Sequence, residues 1–224
     1  MISIVIPTLN EEQCIKKTLD IVSSVFKKIK YQIIIVDDQS KDRTPLIVKN
    51  HKSKKNILLI SNKKLKGLGY ALNLGFVNSK YSYVMFLDAD LSIKKKNIKK
   101  LFNRKRKNSI VIGSRYIKSS KILGASYVKI IISKILNFVI SIIFKLGVKD
   151  VSHSFRIICK NVPLKFENTT HPGFFWETTI NAKRLGYKIS EIPIEFTDRK
   201  FGISKNQITK MIVSVIITIK NLRI

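Results

Sequence analysis

Short apolar runs alternate with helical patterns through the first half of the chain. The runs predict strands at residues 3–6, 32–36, 56–60, 83–87 and 109–113. Apolar residues at helical spacing follow the first run, at Ile15, Leu19 and Val22. Continuous apolar strands that alternate with helices indicate a parallel sheet with helices on both faces. Such a sheet binds its ligands beyond the carboxyl ends of the strands.

Polar side chains follow the predicted strands at the positions where such a sheet binds ligands. They are Asn10, Glu11, Asp37, Asp38, Asp88 and Asp90. The strand at 83–87 ends in Asp88-Ala89-Asp90, and carboxylates at this spacing can both reach one hard divalent ion that also holds a diphosphate. An isolated Asp-x-Asp is equally consistent with a turn that the acids cap.

Residues 128–148 are rich in isoleucine with sparse lysine, which predicts one or two amphipathic helices. Such helices either face the core or lie in a bilayer surface, and the high apolar content favours the bilayer surface. Charged and polar residues interrupt the run, so no transmembrane helix is expected. Residues 1–205 are expected to form one domain, and residues 206–224 form a short apolar tail that could be a membrane-docking helix.

Positive charge dominates the composition. The chain has 43 Lys and Arg against 14 Asp and Glu, a formal charge of +29. This excess predicts an anionic partner such as a membrane surface, nucleic acid or a phosphorylated substrate, although biased base composition explains it equally well. Cys14 and Cys159 form no metal or redox pattern and are expected to be reduced and partly buried. The first residues lack the features of a signal peptide, which predicts a cytoplasmic protein.

Seven segments occur in an order that is known from one enzyme family. They are IVIPTLNEE, IIIVDDQSKDRT, LGYALNLGF, FLDADLS, IGSRY, DVSHSFR and GYKISEIPIEFTDRKFGISK. Together they resemble the family 2 glycosyltransferases, and among them the polyprenyl-phosphate (dolichyl-phosphate) hexosyltransferases. The resemblance covers residues 4–205. It implies an α/β GT-A fold, with a mostly parallel sheet flanked by helices and with amphipathic helices at a membrane interface.

The resemblance implies a pocket for a nucleotide sugar. Its expected residues are Pro7, Leu9, Glu11, Val36, Asp38, Asp88, Ala89, Asp90, Arg199 and Lys205. Asp38 would accept a hydrogen bond from the base, because ionised carboxylates form strong hydrogen bonds. Asp88 and Asp90 would bind Mg²⁺ or Mn²⁺, and Arg199 and Lys205 would close over the diphosphate. Leu9 replaces an aromatic residue common in the family, which leaves the identity of the nucleotide open.

The resemblance also implies an acceptor site. Arg115, with Ser133 or Arg156, would bind the acceptor phosphate, a task that suits the bidentate geometry of arginine. The expected catalytic residues are Asp90, Arg115, Arg199 and Lys205. His153 and Ser154 depart from the family pattern, which usually has a small hydroxyl residue and a glycine there. We interpret His153 as a tolerated loop substitution.

The chain lacks the QxxRW motif of polysaccharide synthases. Those enzymes need a base to deprotonate a sugar hydroxyl, whereas a lipid phosphate is already an anionic nucleophile, so positioning and charge stabilisation would suffice. The expected reaction is inverting transfer of a hexose, mannose or glucose, from GDP-mannose or a UDP-hexose to polyprenyl or dolichyl phosphate. The expected partners also include an anionic membrane surface at the cytosolic face and a possible membrane-anchoring subunit.

Two alternatives remain open at this point. The same fold could use a hydroxyl acceptor on a glycan, protein or glycolipid, with Glu177 or Asp150 as the general base. In the other alternative the protein is not an active enzyme. It is a basic module that binds nucleic acid and is built on an inactive scaffold. The absence of a nucleic-acid-binding motif and the acids at the strand ends make that module the less favoured hypothesis.

Overall fold

The computed structural model describes residues 1–162, 173–198 and 208–222. Its strands are β1 (Ile2–Thr8), β2 (Tyr31–Asp37), β3 (Ile57–Ser61), β4 (Tyr83–Phe86), β5 (Ser109–Ser114), β6 (Lys121–Leu123), β7 (Arg156–Cys159), β8 (Lys188–Pro193) and β9 (Glu195–Thr197). Its helices are α1 (Ile15–Phe26), α2 (Thr44–Lys49), α3 (Leu68–Val77), α4 (Lys95–Asn103), α5 (Tyr127–Ile143), α6 (Phe174–Arg184) and α7 (Ile208–Leu222). All the strands predicted from the apolar runs are present, each within two residues of its expected bounds.

Seven of the strands form one sheet in the order β3-β2-β1-β4-β7-β5-β8. Strand β1 is parallel to β2 and β4, and β5 is parallel to β8, whereas β7 is antiparallel to β4 and β5. The predicted mostly parallel sheet is therefore confirmed. Because β7 runs in the opposite direction, its first residue Arg156 pairs with Phe86 at the carboxyl end of β4. The segment before β7 consequently reaches the edge where the parallel strands end.

Side chains of the central strands alternate between two hydrophobic clusters. On β1, Val5 packs in one cluster with residues of α3, α5 and α6, while Ile4 and Ile6 pack in the other with residues of α1 and α4. Both faces of the strand are thus buried, which explains its uninterrupted apolar sequence. Cys14 and Cys159 are both buried, and Cys159 packs in the cluster that contains Val5.

Helix α5 covers most of the segment predicted to be amphipathic. Its buried residues are Ser133, Asn137 and Ile140. On α5 the exposed apolar residues are Tyr127, Val128, Ile131, Ile135, Phe138, Ile142 and Ile143, and on α7 they are Ile212, Val213 and Ile216. Helices α5 and α7 contact each other, and we call these exposed residues the α5–α7 surface. No helix within the described ranges is both long and apolar enough to span a bilayer.

The contact between α3 and the sheet yields a stability prediction at Gly75. A Cβ added to Gly75 would lie 2.3 Å from Cγ1 of Val5 and 3.3 Å from Cγ2 of Val36. Valine has one strongly preferred rotamer in such surroundings, so it cannot easily move away. Helix propensity alone favours alanine over glycine by about 1 kcal/mol. We nevertheless expect Gly75→Ala to lower the free energy of unfolding by about 1–3 kcal/mol, because overpacking dominates.

Urea denaturation of the purified variant measures this change. Val77→Ala on the same helix is the matched control, because Val77 is 64% exposed and its truncation should change stability by less than about 0.5 kcal/mol. A Gly75→Ala protein as stable as the wild type would contradict the close packing of α3 on β1.

Candidate active site

The Asp88–Asp90 turn follows β4 and is held by its neighbours. The hydroxyl of Thr18 on α1 donates to the carbonyl of Ala89 at 2.7 Å. The backbone amide of Ser92 donates to Oδ1 of Asp90 at 3.0 Å. Leu91 between them has a φ of 62°, a left-handed conformation that is unusual for this residue type and reverses the chain sharply. The carboxylates of this turn therefore have a defined position at the edge of the sheet.

The turn fits a divalent ion that is shared with a phosphate ligand. Mg²⁺ and Mn²⁺ take oxygen ligands, and Mg²⁺ sites commonly combine one or two carboxylates with water and substrate phosphates. Asp88 and Asp90 supply such carboxylates. Within the described ranges, no group of three or more His, Cys, Asp or Glu side chains could hold a metal ion. Two carboxylates at this spacing fit a site that water and the phosphates of a ligand would complete.

Asp38 lies at the end of β2 and organises the segment that leads to α3. Its Oδ1 accepts hydrogen bonds from Asn62 Nδ2 and from the backbone amide of Lys66, both at 2.9 Å, and its Oδ2 accepts one from the amide of Gly67 at 2.7 Å. A carboxylate oxygen can accept two hydrogen bonds. Oδ2 thus has the capacity to accept another bond from a nucleotide base while the carboxylate holds this segment.

The other residues expected in the nucleotide pocket differ in exposure. Pro7, Leu9 and Glu11 are partly exposed beside Asp38 at the end of β1. Val36 is fully buried and its side chain packs in the core beneath α3. The side chain of Val36 fills the space under Gly75, so a contribution of Val36 to the expected pocket would have to come from its backbone. Ala89 is buried as well, at 2% exposure.

Arg115 and Asp150 form a buried ion pair. Nε and Nη2 of Arg115 lie 2.8 Å from Oδ2 and Oδ1 of Asp150, and the backbone amide of Arg115 donates to Oδ2 at 2.8 Å. Burial favours the neutral form of Asp150, but the Arg115 guanidinium outweighs it and holds the pKa of Asp150 below its ordinary value. Asp150 is thus an ionised partner of Arg115 and is poorly suited to act as a general base.

The Arg115 guanidinium interacts with the charges of both Asp150 and Asp88. Its pKa is raised because the negative charges of Asp150 and, more weakly, Asp88 outweigh the effect of burial. Its Nη2 also lies 3.3 Å from the hydroxyl of Ser152. Within the described ranges, the hydrogen bonds of its guanidinium come from Nε and Nη2, although the group has five N–H donors. The binding of an anion by Arg115, which the resemblance implies, stays a prediction.

Arg156 occupies a different environment. It is fully buried, and its donors contact the carbonyls of Val151, His153 and Phe175 and the hydroxyl of Thr179 at 2.6–3.2 Å. These bonds use all five N–H groups. The prediction that Arg156 binds the acceptor phosphate is wrong for this reason. Arg156 instead fastens the segment before β7 to α6.

Ser133 lies on the buried face of α5, close to Arg115. Its carbonyl accepts a hydrogen bond from Asn137 Nδ2 at 2.7 Å, and its hydroxyl interacts with Tyr116. The guanidinium of Arg115 lies over the Tyr116 ring at 4.8 Å. Tyr116 thus contacts both Ser133 and Arg115.

Ser154 makes a contact with Asp88 that the sequence interpretation missed. Its hydroxyl donates to Oδ2 of Asp88 at 2.5 Å. Ser154 stands where the family usually has glycine, which was the available signal in the sequence, but only the fold shows that this residue faces the Asp88–Asp90 turn.

Glu177 is buried at 5% exposure on α6. Arg199 and Lys205 lie outside the described residues, so their expected roles stay predictions.

His153 is buried and neutral. Its Nδ1 lies 2.7 Å from the carbonyl of Gly113, and a carbonyl only accepts, so Nδ1 carries the proton. Burial first, and then the charge of Arg115, lower the pKa of His153 to about 3. Its ring packs edge-on against Phe155 and Phe196. This environment agrees with a structural role for His153.

Comparison with known proteins identifies relatives over most of the chain. The model of the family "Glycosyl transferase family 2" matches residues 3–163. Dolichyl-phosphate beta-glucosyltransferase ALG5A from Trichomonas vaginalis is 29% identical over 229 residues, which cover 94% of this chain and 69% of the relative. Dolichyl-phosphate beta-glucosyltransferase ALG5D of the same organism is 27% identical over 215 residues, or 88% of this chain and 66% of the relative. The chain thus spans about two thirds of the length of these relatives.

Solved structures share the fold. Glucosyl-3-phosphoglycerate synthase from Mycobacterium tuberculosis, in complex with Mn²⁺, UDP and glucosyl-3-phosphoglycerate, matches with a TM-score of 0.76 and 17% identity, covering 99% of this chain and 79% of that chain. A structure of the same enzyme with Mg²⁺ and UDP gives a TM-score of 0.72 at 18% identity, covering 99% of this chain and 78% of that chain. These matches confirm the predicted GT-A fold.

The buried histidine predicts a pH dependence of stability. The pKa of His153 is about 3 in the folded protein and about 6.5 when unfolded, so between these values the unfolded chain binds a proton that the folded chain does not. Stability must therefore fall as the pH falls below about 6.5. We expect His153→Asn, whose amide can also donate to Gly113, to remove about 2 kcal/mol of the loss between pH 8 and pH 5. Urea denaturation at several pH values measures it, and parallel stability curves for the two proteins would contradict the assignment.

Proposed function

The chain belongs to glycosyl transferase family 2, and we propose that it transfers glucose from UDP-glucose to dolichyl phosphate or a similar polyprenyl phosphate, with inversion at the anomeric carbon. One observation carries the proposal. Within residues 149–154, Ser154 contacts Asp88 on the expected donor side, and Asp150 contacts Arg115 on the expected acceptor side. Carboxylates suited to a metal–diphosphate complex and a guanidinium suited to a phosphate therefore lie at one edge of the sheet.

The donor side would bind the nucleotide through Asp38 and its diphosphate near Asp88 and Asp90. A divalent ion bound there would neutralise charge on the departing nucleoside diphosphate. Ser154 orients the Asp88 carboxylate by its hydrogen bond, and Thr18 and Ser92 fix the turn that carries Asp90. The names of the relatives support glucose over mannose as the sugar and dolichyl phosphate as the acceptor.

The acceptor side would bind a phosphate through Arg115, beside Ser133. An oxygen of the lipid phosphate attacks the anomeric carbon while the bond from that carbon to the donor's β-phosphate oxygen breaks, so UDP leaves with the bonding electrons. The attacking oxygen is already anionic and needs no base. Asp150 is paired with Arg115 and has a lowered pKa, which argues against the alternative in which Asp150 deprotonates a hydroxyl acceptor.

The α5–α7 surface supports action at a membrane, where the lipid acceptor resides. Phe138 and Tyr127 on this surface are 64% and 76% exposed, and exposed lysines flank them at Lys129, Lys134 and Lys145. Amphipathic helices with apolar side chains on one face and lysines beside them bind the interface of anionic bilayers. We propose that this surface docks on the cytosolic face, with α7 as part of it.

Replacing Asp90 tests the donor side. We expect Asp90→Asn to lower transfer of radiolabelled glucose from UDP-glucose into extractable lipid by at least about a hundredfold, because the variant loses charge needed to stabilise the leaving diphosphate. Asp20→Asn on α1 is the matched control, since Asp20 pairs with Lys52 at the surface away from the site, and it should retain wild-type activity.

The same assay with GDP-mannose and UDP-N-acetylglucosamine tests the sugar. Label transfer from GDP-mannose alone would overturn glucose as the transferred sugar. No lipid labelling with any of the three donors, in folded protein with a lipid phosphate and Mg²⁺ or Mn²⁺, would overturn the proposed reaction.

Replacing Phe138 tests the membrane surface. Burying a phenylalanine side chain is worth about 1.5–3 kcal/mol, so we expect Phe138→Glu to weaken binding to anionic phosphatidylserine vesicles at least about tenfold. Leu46→Glu is the matched control, because Leu46 is 51% exposed on α2, which packs on the opposite face of the sheet. Equal vesicle binding by both variants in a sedimentation assay would contradict the assignment of the α5–α7 surface.

A further inference from the structure

Asn137 is a fully buried amide in the middle of α5. Its Nδ2 donates to the carbonyl of Ser133 at 2.7 Å and to the hydroxyl of Ser152 at 3.0 Å, and its Oδ1 accepts the backbone amide of Ser152 at 2.8 Å. An apolar residue would suit this position better by helix propensity and desolvation alone. The amide of Asn137 thus forms reciprocal hydrogen bonds with a single residue of the segment 149–154.

A second side chain holds the other end of this segment. Oε2 and Oε1 of Glu191 on β8 accept the backbone amides of Lys149 and Asp150 at 2.8 and 2.9 Å. These amides immediately precede the Asp150 side chain that pairs with Arg115. Asn137 and Glu191 therefore fix residues 149–152 from two different elements of the fold.

The segment 149–154 in turn contacts both polar groups of the site. Asp150 holds the guanidinium of Arg115, and Ser154 holds the carboxylate of Asp88. Ser152 lies between them and contacts both Arg115 and Asn137. A displacement at Ser152 would consequently change the distance between Arg115, which would receive the acceptor phosphate, and the Asp88–Asp90 turn, which would face the donor.

We propose that Asn137 is a positioning residue for the acceptor: it holds residues 149–154 against α5 so that Arg115 receives the lipid phosphate at a fixed distance from Asp88. The proposal rests on the proposed function. Because the opposite face of α5 belongs to the α5–α7 surface, Asn137 also connects the helix that faces the membrane to the site. Asn137 bonds to Ser152, which itself contacts Arg115, whereas the donor-side contact of this segment is made two residues later by Ser154. We therefore expect acceptor binding to depend on Asn137 much more strongly than donor binding does.

The experiment compares Asn137→Ala with Ser141→Ala, which changes the same helix one turn later. Glu191→Ala, with Ser190→Ala as its control, is a second variant at a partly exposed site in case Asn137→Ala fails to fold. Amide hydrogen exchange is measured for residues 149–154 in the full chain. Kinetic constants are measured for dolichyl phosphate, and the dissociation constant for UDP-glucose with Mn²⁺ is measured by calorimetry.

In Asn137→Ala, we expect the Ser152 amide to exchange at least about tenfold faster than in the wild type, because its acceptor is removed. We expect kcat/KM for dolichyl phosphate to fall at least about tenfold through a higher KM, since small misplacements of a reacting group slow a reaction strongly. The dissociation constant for UDP-glucose should stay within about twofold, and both control variants should resemble the wild type.

Unchanged exchange at Ser152 would overturn the proposal. Faster exchange with an unchanged KM for dolichyl phosphate would also overturn it, because Asn137 would then only stabilise the fold. A failure of the proposed function is distinguishable, since the wild type itself would then transfer no glucose to lipid phosphate. The positioning of residues 149–154 by Asn137 would in that case be judged by the exchange rates alone, with unchanged rates refuting it.

Discussion

The ion pair between Arg115 and Asp150 fixes the geometry of the proposed acceptor side of the site. Asp150 is fully buried, whereas the Arg115 side chain is 17% exposed. Removing Arg115 would therefore leave an uncompensated buried charge on Asp150, which costs about 3–5 kcal/mol. The pair also has a backbone component, since the amide of Arg115 donates to the same carboxylate. Glu191 on β8 accepts the backbone amide of Asp150, and Asn137 on α5 bonds to Ser152, so two neighbouring elements hold the segment that carries Asp150.

Strand β7 makes this arrangement possible. Because it is antiparallel between β4 and β5, the residues before it arrive at the edge where the parallel strands end. A parallel strand in the same place would have delivered those residues to the opposite edge, away from Asp88 and Arg115. The buried guanidinium of Arg156 holds the residues before β7 in this position, because it donates hydrogen bonds to the carbonyls of Val151 and His153. One arginine, Arg156, thus builds the segment, and a different one, Arg115, is the residue that we propose binds the acceptor.

The sequence was sufficient to predict those parts of the fold that depend on local pattern. The run before Asp88 predicted β4 because a strand buried on both faces must be continuously apolar, and the carboxylates after it predicted the polar edge. The roles of Arg156 and Val36 were not predictable in the same way. Arg156 contacts Thr179, and Val36 lies under Gly75, and contacts between residues so far apart in sequence depend on the complete fold. For 128–148 the sequence offered a core helix or an interfacial helix, and α5 has one buried face and one exposed apolar face.

Catalysis without a base is the central claim for the site, because Asp150 is held ionised by Arg115 and a lipid phosphate is already anionic. The most direct test offers the wild type a polyprenyl phosphate and the polyprenol of the same chain length, each with UDP-glucose and Mn²⁺, and identifies the products by mass spectrometry and NMR. We expect glucosylation of the phosphate alone, with a β-anomeric linkage. Comparable glucosylation of the free alcohol, or an α-linked product, would contradict it.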